Sequence, residues 1–429
     1  MMKKGMVSAS VFAAVLLAAT QPATFANAAD STTTTTPATT GTTTDQTATT
    51  DSSTTTQTQI SGVREAKKVD SLDLEKVIDL AINDSYNLQL LQLKYRVLDQ
   101  QNASLGLNYV DYLNASPGLQ YVTTNRSNEV SLSTGSQTGQ TLETNIRDLD
   151  TQKLNTQLQV DEAKEGTKLA MTGQYVQLLT LQKQINLSQE YIQVLQRDVQ
   201  RAQTLQSLGS GTQEDIDKAD RALKAEQDNL TSLNDSYQKT LSTLSYDLGI
   251  VYDPNIKLAD VDVKLDAAPT VDADTLLGKS YQIQSLGNSL NKAEQDEQKA
   301  ITDNSFEDQA NKATTQIAAQ QLEQGKVTYA KAIESNLKDM DTALKDVQTA
   351  QRSAQDASVD GVNMQIRYNA GVVTKYDLDK YQYQVDASQI KAQLTQLQYY
   401  VQKAKVDAMN NGYIASSSSS ASSSASSGS

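Results

Sequence analysis

The chain has 429 residues, a formal net charge of −14, and no Cys, His or Trp. This excludes disulfides, thiolate or imidazole metal sites, and nucleophilic catalysis through Cys–His or Ser–His pairs; the acidic balance also argues against nucleic acid, whose binders carry basic patches. Only 38% of residues are apolar, which suits long helices that each bury a narrow stripe better than one large globular core.

Residues 1–28 read as a secretory signal. Lys3 and Lys4 precede an apolar run over 7–19, and Ala26, Asn27 and Ala28 supply a small-residue cleavage site. Residues 29–69 are dominated by Thr and Ser and read as a disordered spacer, as does the Ser-rich tail 413–429. After the signal no segment approaches the roughly 20 apolar residues of a membrane helix. Outside the signal and spacer, proline occurs at Pro117, Pro254 and Pro269 alone. Because proline breaks helix interiors, the intervals 118–253 and 270–429 admit very long helices.

A first helix is predicted over 72–107, N-capped by Ser71, with an apolar face through Leu74, Ile78, Ala81, Leu91, Tyr95 and Leu98. The alternating runs 119–124 and 129–134 predict a short β-hairpin. A second helix spans 142–208, about 100 Å at about 1.5 Å per residue. A third begins after residue 212, with Ile216, Leu223, Leu230, Tyr237, Leu244 and Leu248 near heptad spacing. The connector 251–272 holds two runs, 256–258 and 261–265, that read as edge strands paired with each other. Helical pattern resumes at Asp274 and continues to Tyr368, with one break near 303–305, and a last helix runs to about Gly412.

Two short stretches, 209–218 and 371–380, align with each other without a gap. Gly209 falls on Gly371, Thr212 on Thr374, Asp215 on Asp377, and Lys218 on Lys380. The glycines can take positive φ and end the incoming helix. The threonines can N-cap the outgoing one, with Asp three residues on in a weaker form of the capping box. A single copy is an ordinary helical turn; two copies, each between very long helices, mark an internal duplication. The short hinges make the flanking helices antiparallel. The fold class read from the residues is therefore mainly α: duplicated long antiparallel α-helical hairpins, 70–250 and 273–412, with a small β insert.

The chain resembles the TolC family of outer-membrane efflux proteins over about 70–412. The opening helix 72–88, the duplicated helix–insert–helix–hinge–helix order, and Tyr368-x-x-Gly371 followed by Asp377-Leu378 carry the resemblance. It implies a TolC-like α-barrel protomer, a homotrimer, and a passive duct for efflux or type I secretion with no cofactor and no catalysis. It places Gly209, Gly211, Thr212, Asp215, Tyr368, Gly371 and Thr374 at hairpin tips that contact a periplasmic adaptor (membrane-fusion) protein, itself joined to an inner-membrane transporter. It makes Asp377 an aperture candidate, with Lys380 three residues on, where the resemblance implies a further acid. It also implies strands that build a membrane barrel. The first insert here has runs of only about six residues, against roughly nine to eleven for a membrane strand. A second reading is therefore a non-conducting coiled-coil scaffold or spacer of the cell envelope.

Overall fold

The computed structural model describes residues 66–115, 121–123, 130–132, 137–267, 272–299 and 305–415, all within the unit that begins at Arg64. The expected signal segment, nearly all of the spacer, the tail from 416, the turn of the β insert and residues 300–304 lie outside the described residues.

The chain opens with β1 (Ser71–Leu72), α1 (Leu74–Asp84) and α2 (Tyr86–Ala115). The predicted first helix is thus two helices, and its N-cap is Asp73, whose carboxylate accepts from the Lys76 N–H at 2.8 Å, not Ser71. The break falls at Ser85, which leaves the helical region (φ −68°, ψ 118°) and accepts the Leu88 N–H on its hydroxyl at 3.3 Å. Then follow β2 (Tyr121–Thr123) and β3 (Val130–Leu132), antiparallel as expected, and α3 (Gln137–Ser207), a helix of 71 residues. After the first hinge come α4 (Gln213–Asp247), β4 (Lys257–Leu258), α5 (Ala273–Lys279) and α6 (Tyr281–Lys299). α7 (Ser305–Asn369) and α8 (Lys375–Asn410) flank the second hinge.

The α5–α6 break repeats the α1–α2 break. Ser280 accepts the Ile283 N–H on its hydroxyl at 3.3 Å, as Ser85 does for Leu88. The local sequences match too: Ser85-Tyr86-Asn87-Leu88 against Ser280-Tyr281-Gln282-Ile283, with Leu88 and Ile283 both buried. Each half therefore runs short helix, serine break, helix, insert, very long helix, hinge, helix.

Side by side, the helices form two rows that share α3 and α7. In one, α2 packs on α3, α3 on α6, and α6 on α7. Its cross-links include Asn102 to Asp150 (2.6 Å), Arg147 to Asp296 (3.0 Å) and Asn288 to Asn155 (3.0 Å). In the other, α4 packs on α3, α3 on α8, and α8 on α7. Where the rows meet lie two apolar clusters. One gathers Leu72, Val77, Tyr175, Leu178, Leu241 and Leu248; the other gathers Leu276, Ile333, Met340, Tyr399, Val406 and Met409.

The connector is strapped across this junction. Its strand β4 pairs in parallel with β1, Ser71 with Lys257 and Leu72 with Leu258, rather than with residues 261–265 as the alternation predicted. The nearer run is not the better partner, because β1 is fixed on the apolar cluster by Leu72, which is 1% exposed. Two fully buried tyrosines fasten the strap. Tyr175 of α3 donates to the Leu72 and Ala259 carbonyls at 2.9 and 2.7 Å; Tyr399 of α8 donates to the Asp266 carbonyl at 2.6 Å and accepts its N–H at 3.0 Å. Burial pushes the Tyr175 phenol up to about 12.

Tyr175→Phe removes the donor and leaves the Ala259 carbonyl unpaired; it is expected to lower stability by about 1–2 kcal/mol, measured by chemical denaturation. Because the Tyr175 pKa is raised in the folded state, its contribution is complete below pH 10 and fades as pH rises towards about 12. The Phe variant should lose part of this alkaline sensitivity.

Candidate functional site: the two hinges and their clasp

Both hinges are built the same way. At the first, Gly209 has φ +71°; its N–H donates to the Gln206 carbonyl at 2.9 Å, and the Ser210 N–H reaches back to Leu205 at 2.9 Å. At the second, Gly371 has φ +73°; its N–H donates to Tyr368 at 2.9 Å, and the Val372 N–H to Arg367 at 2.9 Å. This pair of bonds is the Schellman motif, which satisfies the last carbonyls of the incoming helix and favours glycine at the left-handed position. Tyr368 serves the second hinge through its backbone carbonyl.

The outgoing helices start on complete capping boxes. The Asp215 N–H donates to Thr212 Oγ1 at 3.2 Å and the Thr212 N–H donates to Asp215 Oδ2 at 3.0 Å; the Thr374–Asp377 bonds are 3.2 and 3.3 Å. Each threonine hydroxyl also donates to its aspartate at 2.7 Å, so the shorter Asp side chain still closes the ring of bonds. Hydrogen bonds from the threonine hydroxyl and then its N–H hold both carboxyls below the usual range, with Arg201 and Lys380 adding to the effect at Asp377. Folded pKa values that are lowered contribute stability above the unfolded value. Both caps should therefore weaken as pH falls below about 4.

The backbone of the two hinges differs just before the capping threonine. The Gly211 N–H also donates to the Leu205 carbonyl, at 3.0 Å, and a Cβ there would lie 2.8 Å from the Gln206 nitrogen. The aligned residue of the second hinge is Val373. The first turn is thus folded back more closely than the second.

The start of α8 is clasped to α3. The Tyr376 hydroxyl hydrogen-bonds Asp198, the Arg201 guanidinium lies 4.2 Å from the Tyr376 ring centroid, and Arg197 pairs with Asp379 at 2.6 Å. The Lys380 ammonium lies 5.9 Å from the same ring centroid. Two turns further, Tyr191 of α3 stacks on Tyr383 of α8 with centroids 4.7 Å apart. Burial, then the bond to Asp198, pushes the Tyr376 phenol up to about 12. Arg201 links the parts, since it faces the ring and also lowers the Asp377 carboxyl. The structure thus brings Asp377 and Lys380 together with Asp198, Arg201 and Tyr376, three residues that sequence reasoning passed over. The signal was present: the first hinge has Glu214 where the second has Tyr376, so the aligned copies diverge at the clasp.

With this geometry, the long helices align with solved structures. They match the outer-membrane channel OprN (TM-score 0.58, 13% identity, 79% of this chain and 90% of that one). They match the CmeC outer membrane channel of Campylobacter jejuni (0.58, 15%, 80% and 86%) and the outer membrane protein VceC of Vibrio cholerae (0.55, 12%, 80% and 97%). The chain has the fold of these outer-membrane channels. No family model matches the sequence, and no curated protein does. Among the described residues no helix is long and apolar enough to cross a membrane, and no group of acidic residues could hold a metal ion.

Gly371→Val forces a branched residue into positive φ and should cost about 1–2 kcal/mol, read as a lower melting temperature. Tyr376→Phe combined with Arg197→Ala should instead leave the melting temperature nearly unchanged. It should speed amide exchange in the first two turns of α8, roughly tenfold for about 1.4 kcal/mol of lost local contact.

Proposed function

We propose that this protein is the duct component of an efflux or type I secretion assembly, a divergent TolC-like protein exported to the cell envelope and acting without catalysis. The single observation that carries this reading is the pair of Schellman-and-capping-box hinges standing at one end of the same helix row. A duct tip needs turns that are rigid within each hairpin and a contact between hairpins that can release. The capped hinges supply the first. The clasp supplies the second, because the ion pair and the cation–π contact join partly exposed groups, and exposed pairs are worth only about 1 kcal/mol or less.

In this reading three copies assemble. The tips around Gly209, Gly211, Thr212, Asp215, Tyr368, Gly371 and Thr374 receive the adaptor, which hands cargo on from an inner-membrane transporter. Release of Tyr376 from Asp198 lets α8 swing from α3 and carries Asp377 and Lys380 with it.

One observation favours a second reading. The first insert runs from Ala115 to Gln137, whereas the second has only the short gap between Lys299 and Ser305. A gap of about five residues spans at most about 18 Å, short of a hydrocarbon core of about 30 Å. Each copy can then offer two strands, and three copies six, fewer than the eight of the smallest membrane barrels. A scaffold of the envelope that has lost its barrel accounts for this, as does a duct whose distal end meets a wall rather than a bilayer.

The test is whole-cell accumulation of a fluorescent efflux dye, together with the exported protein profile, in a strain deleted for this chain. The duct reading predicts increased dye retention or a missing secreted protein, restored by the wild-type chain and not by Gly209→Val with Gly371→Val. Unchanged retention and secretion, with altered cell shape or envelope strength, would replace it with the scaffold reading.

A further inference from the structure

The connector leaves a cleft where it crosses α3 and α4. The cleft holds about 520 Å³, within the range of about 300–1,000 Å³ that ligand sites occupy. Four carboxamide side chains line it. Gln182 and Asn186 stand one turn apart on α3, Asn234 comes from α4, and Asn255 comes from the connector. Asp253 fixes the connector's wall: its carboxylate accepts the Asn255 N–H at 2.9 Å and its carbonyl accepts the Ile256 N–H at 3.2 Å. Among the described residues, the side chains of Gln182, Asn186 and Asn255 make no hydrogen bond to protein. Asn234 uses one N–H on the Leu230 carbonyl, at 2.9 Å, and keeps its own carbonyl free.

The rest of the lining is apolar or aromatic. Ile185, Ile256 and Leu258 are buried or half-buried, and Tyr237 of α4 stands beside them with its hydroxyl unbonded to protein among the described residues. Burial, then the neighbouring Tyr252 phenol, pushes the Tyr237 hydroxyl up. Lys257 is the one formally charged residue in the lining. This neutrality is local. A second cleft on the same connector, against α1, is lined by Asp73, Glu75, Asp79, Asp260 and Asp262. The chemistry of the first cleft narrows its ligand. A phosphate chain needs several cations, and one lysine lines this cleft. A peptide that adds as a strand needs a sheet edge, and β4 offers two residues. A carboxamide presents a donor and an acceptor side by side, which matches vicinal sugar hydroxyls or an acetamido group. An aromatic ring beside it accepts the C–H face of a sugar.

We propose that this cleft binds a glycan chain of N-acetylated amino sugars. The four carboxamides pair with the hydroxyl and acetamido groups, the Tyr237 ring lies against a sugar face, and the acetyl methyl settles on Ile185, Ile256 and Leu258. Asn186 and Asn234 each lie 21 residues from the nearer end of their helix at the first hinge, about 30 Å at about 1.5 Å per residue. A glycan held here therefore grips the chain at the apolar junction and leaves the hinges and the clasp untouched. The proposal does not depend on the duct reading, because a duct and a scaffold would both be held to a glycan layer in this way.

The test is calorimetric titration of the mature chain with chitotetraose, a β-1,4-linked oligomer of N-acetylglucosamine, and with cellotetraose, the matching oligomer without acetamido groups. Chitotetraose should bind saturably, and roughly tenfold or more tighter than cellotetraose, because the cleft's carboxamides lose partners in the second. Asn186→Ala with Asn234→Ala should weaken chitotetraose roughly tenfold or more. Its helical circular dichroism and melting temperature should not fall, because alanine is the better helix former. Asp79→Asn, in the acidic cleft, should bind as the wild type does. No binding of chitotetraose at millimolar concentration would overturn the proposal, as would equal affinity for the two oligomers. Undiminished binding by the Asn186→Ala, Asn234→Ala chain would reject this cleft as the site. Saturable binding of a neutral Gly-Ser-Asn repeat peptide, with none of chitotetraose, would assign the cleft to a polypeptide instead.

Discussion

A helix as long as α3 draws little stability from its own backbone, because propagation is nearly neutral for most of its residues. α3 persists because neighbours bury its stripes in turn: α2 and α6 along one half, α4 and α8 along the other, with α1 at the junction. Everything else follows from serving that helix. The breaks at Ser85 and Ser280 let α1 and α5 turn onto the junction while α2 and α6 continue along the long helices. The connector is drawn across the same place because Tyr175 and Tyr399 offer it buried hydrogen bonds there.

The hinges obey a local rule and the clasp a tertiary one, and this explains how far the sequence could be read. Gly, Thr and Asp at fixed offsets act on residues within one turn, so both hinges were legible at the level of single bonds. In both capping boxes the threonine hydroxyl donates to the aspartate as well as accepting from its N–H. The clasp joins residues about 180 positions apart, and no local pattern announces such a pair. Strand pairing failed for the same reason. β4 chose β1, far back in the chain, over the adjacent run, since Leu72 was already buried. The serine breaks were legible in principle from the repeated Ser-Tyr-amide-aliphatic pattern, but it lies at a different offset from the hinges, so one repeat register does not contain both.

The differences between the halves carry more functional meaning than their likeness. Gly211 against Val373 makes one turn closer than the other. Glu214 against Tyr376 leaves α4 with no counterpart to the ring that holds α8. A duplicated unit whose copies agree in their turns and differ in their lateral contacts suits a tip in which one hairpin is anchored and the other moves. The inserts differ as well, the first several times longer than the second, and that sets this chain apart from a protomer whose two halves contribute equally to a membrane barrel.

The central claim is that these helices form the wall of a ring that does not depend on a bilayer. It is tested most directly by the molar mass of the mature chain from light scattering, measured with and without detergent. The account predicts three chains per particle in both conditions. A single chain in both, or an assembly that exists only in detergent, would contradict it.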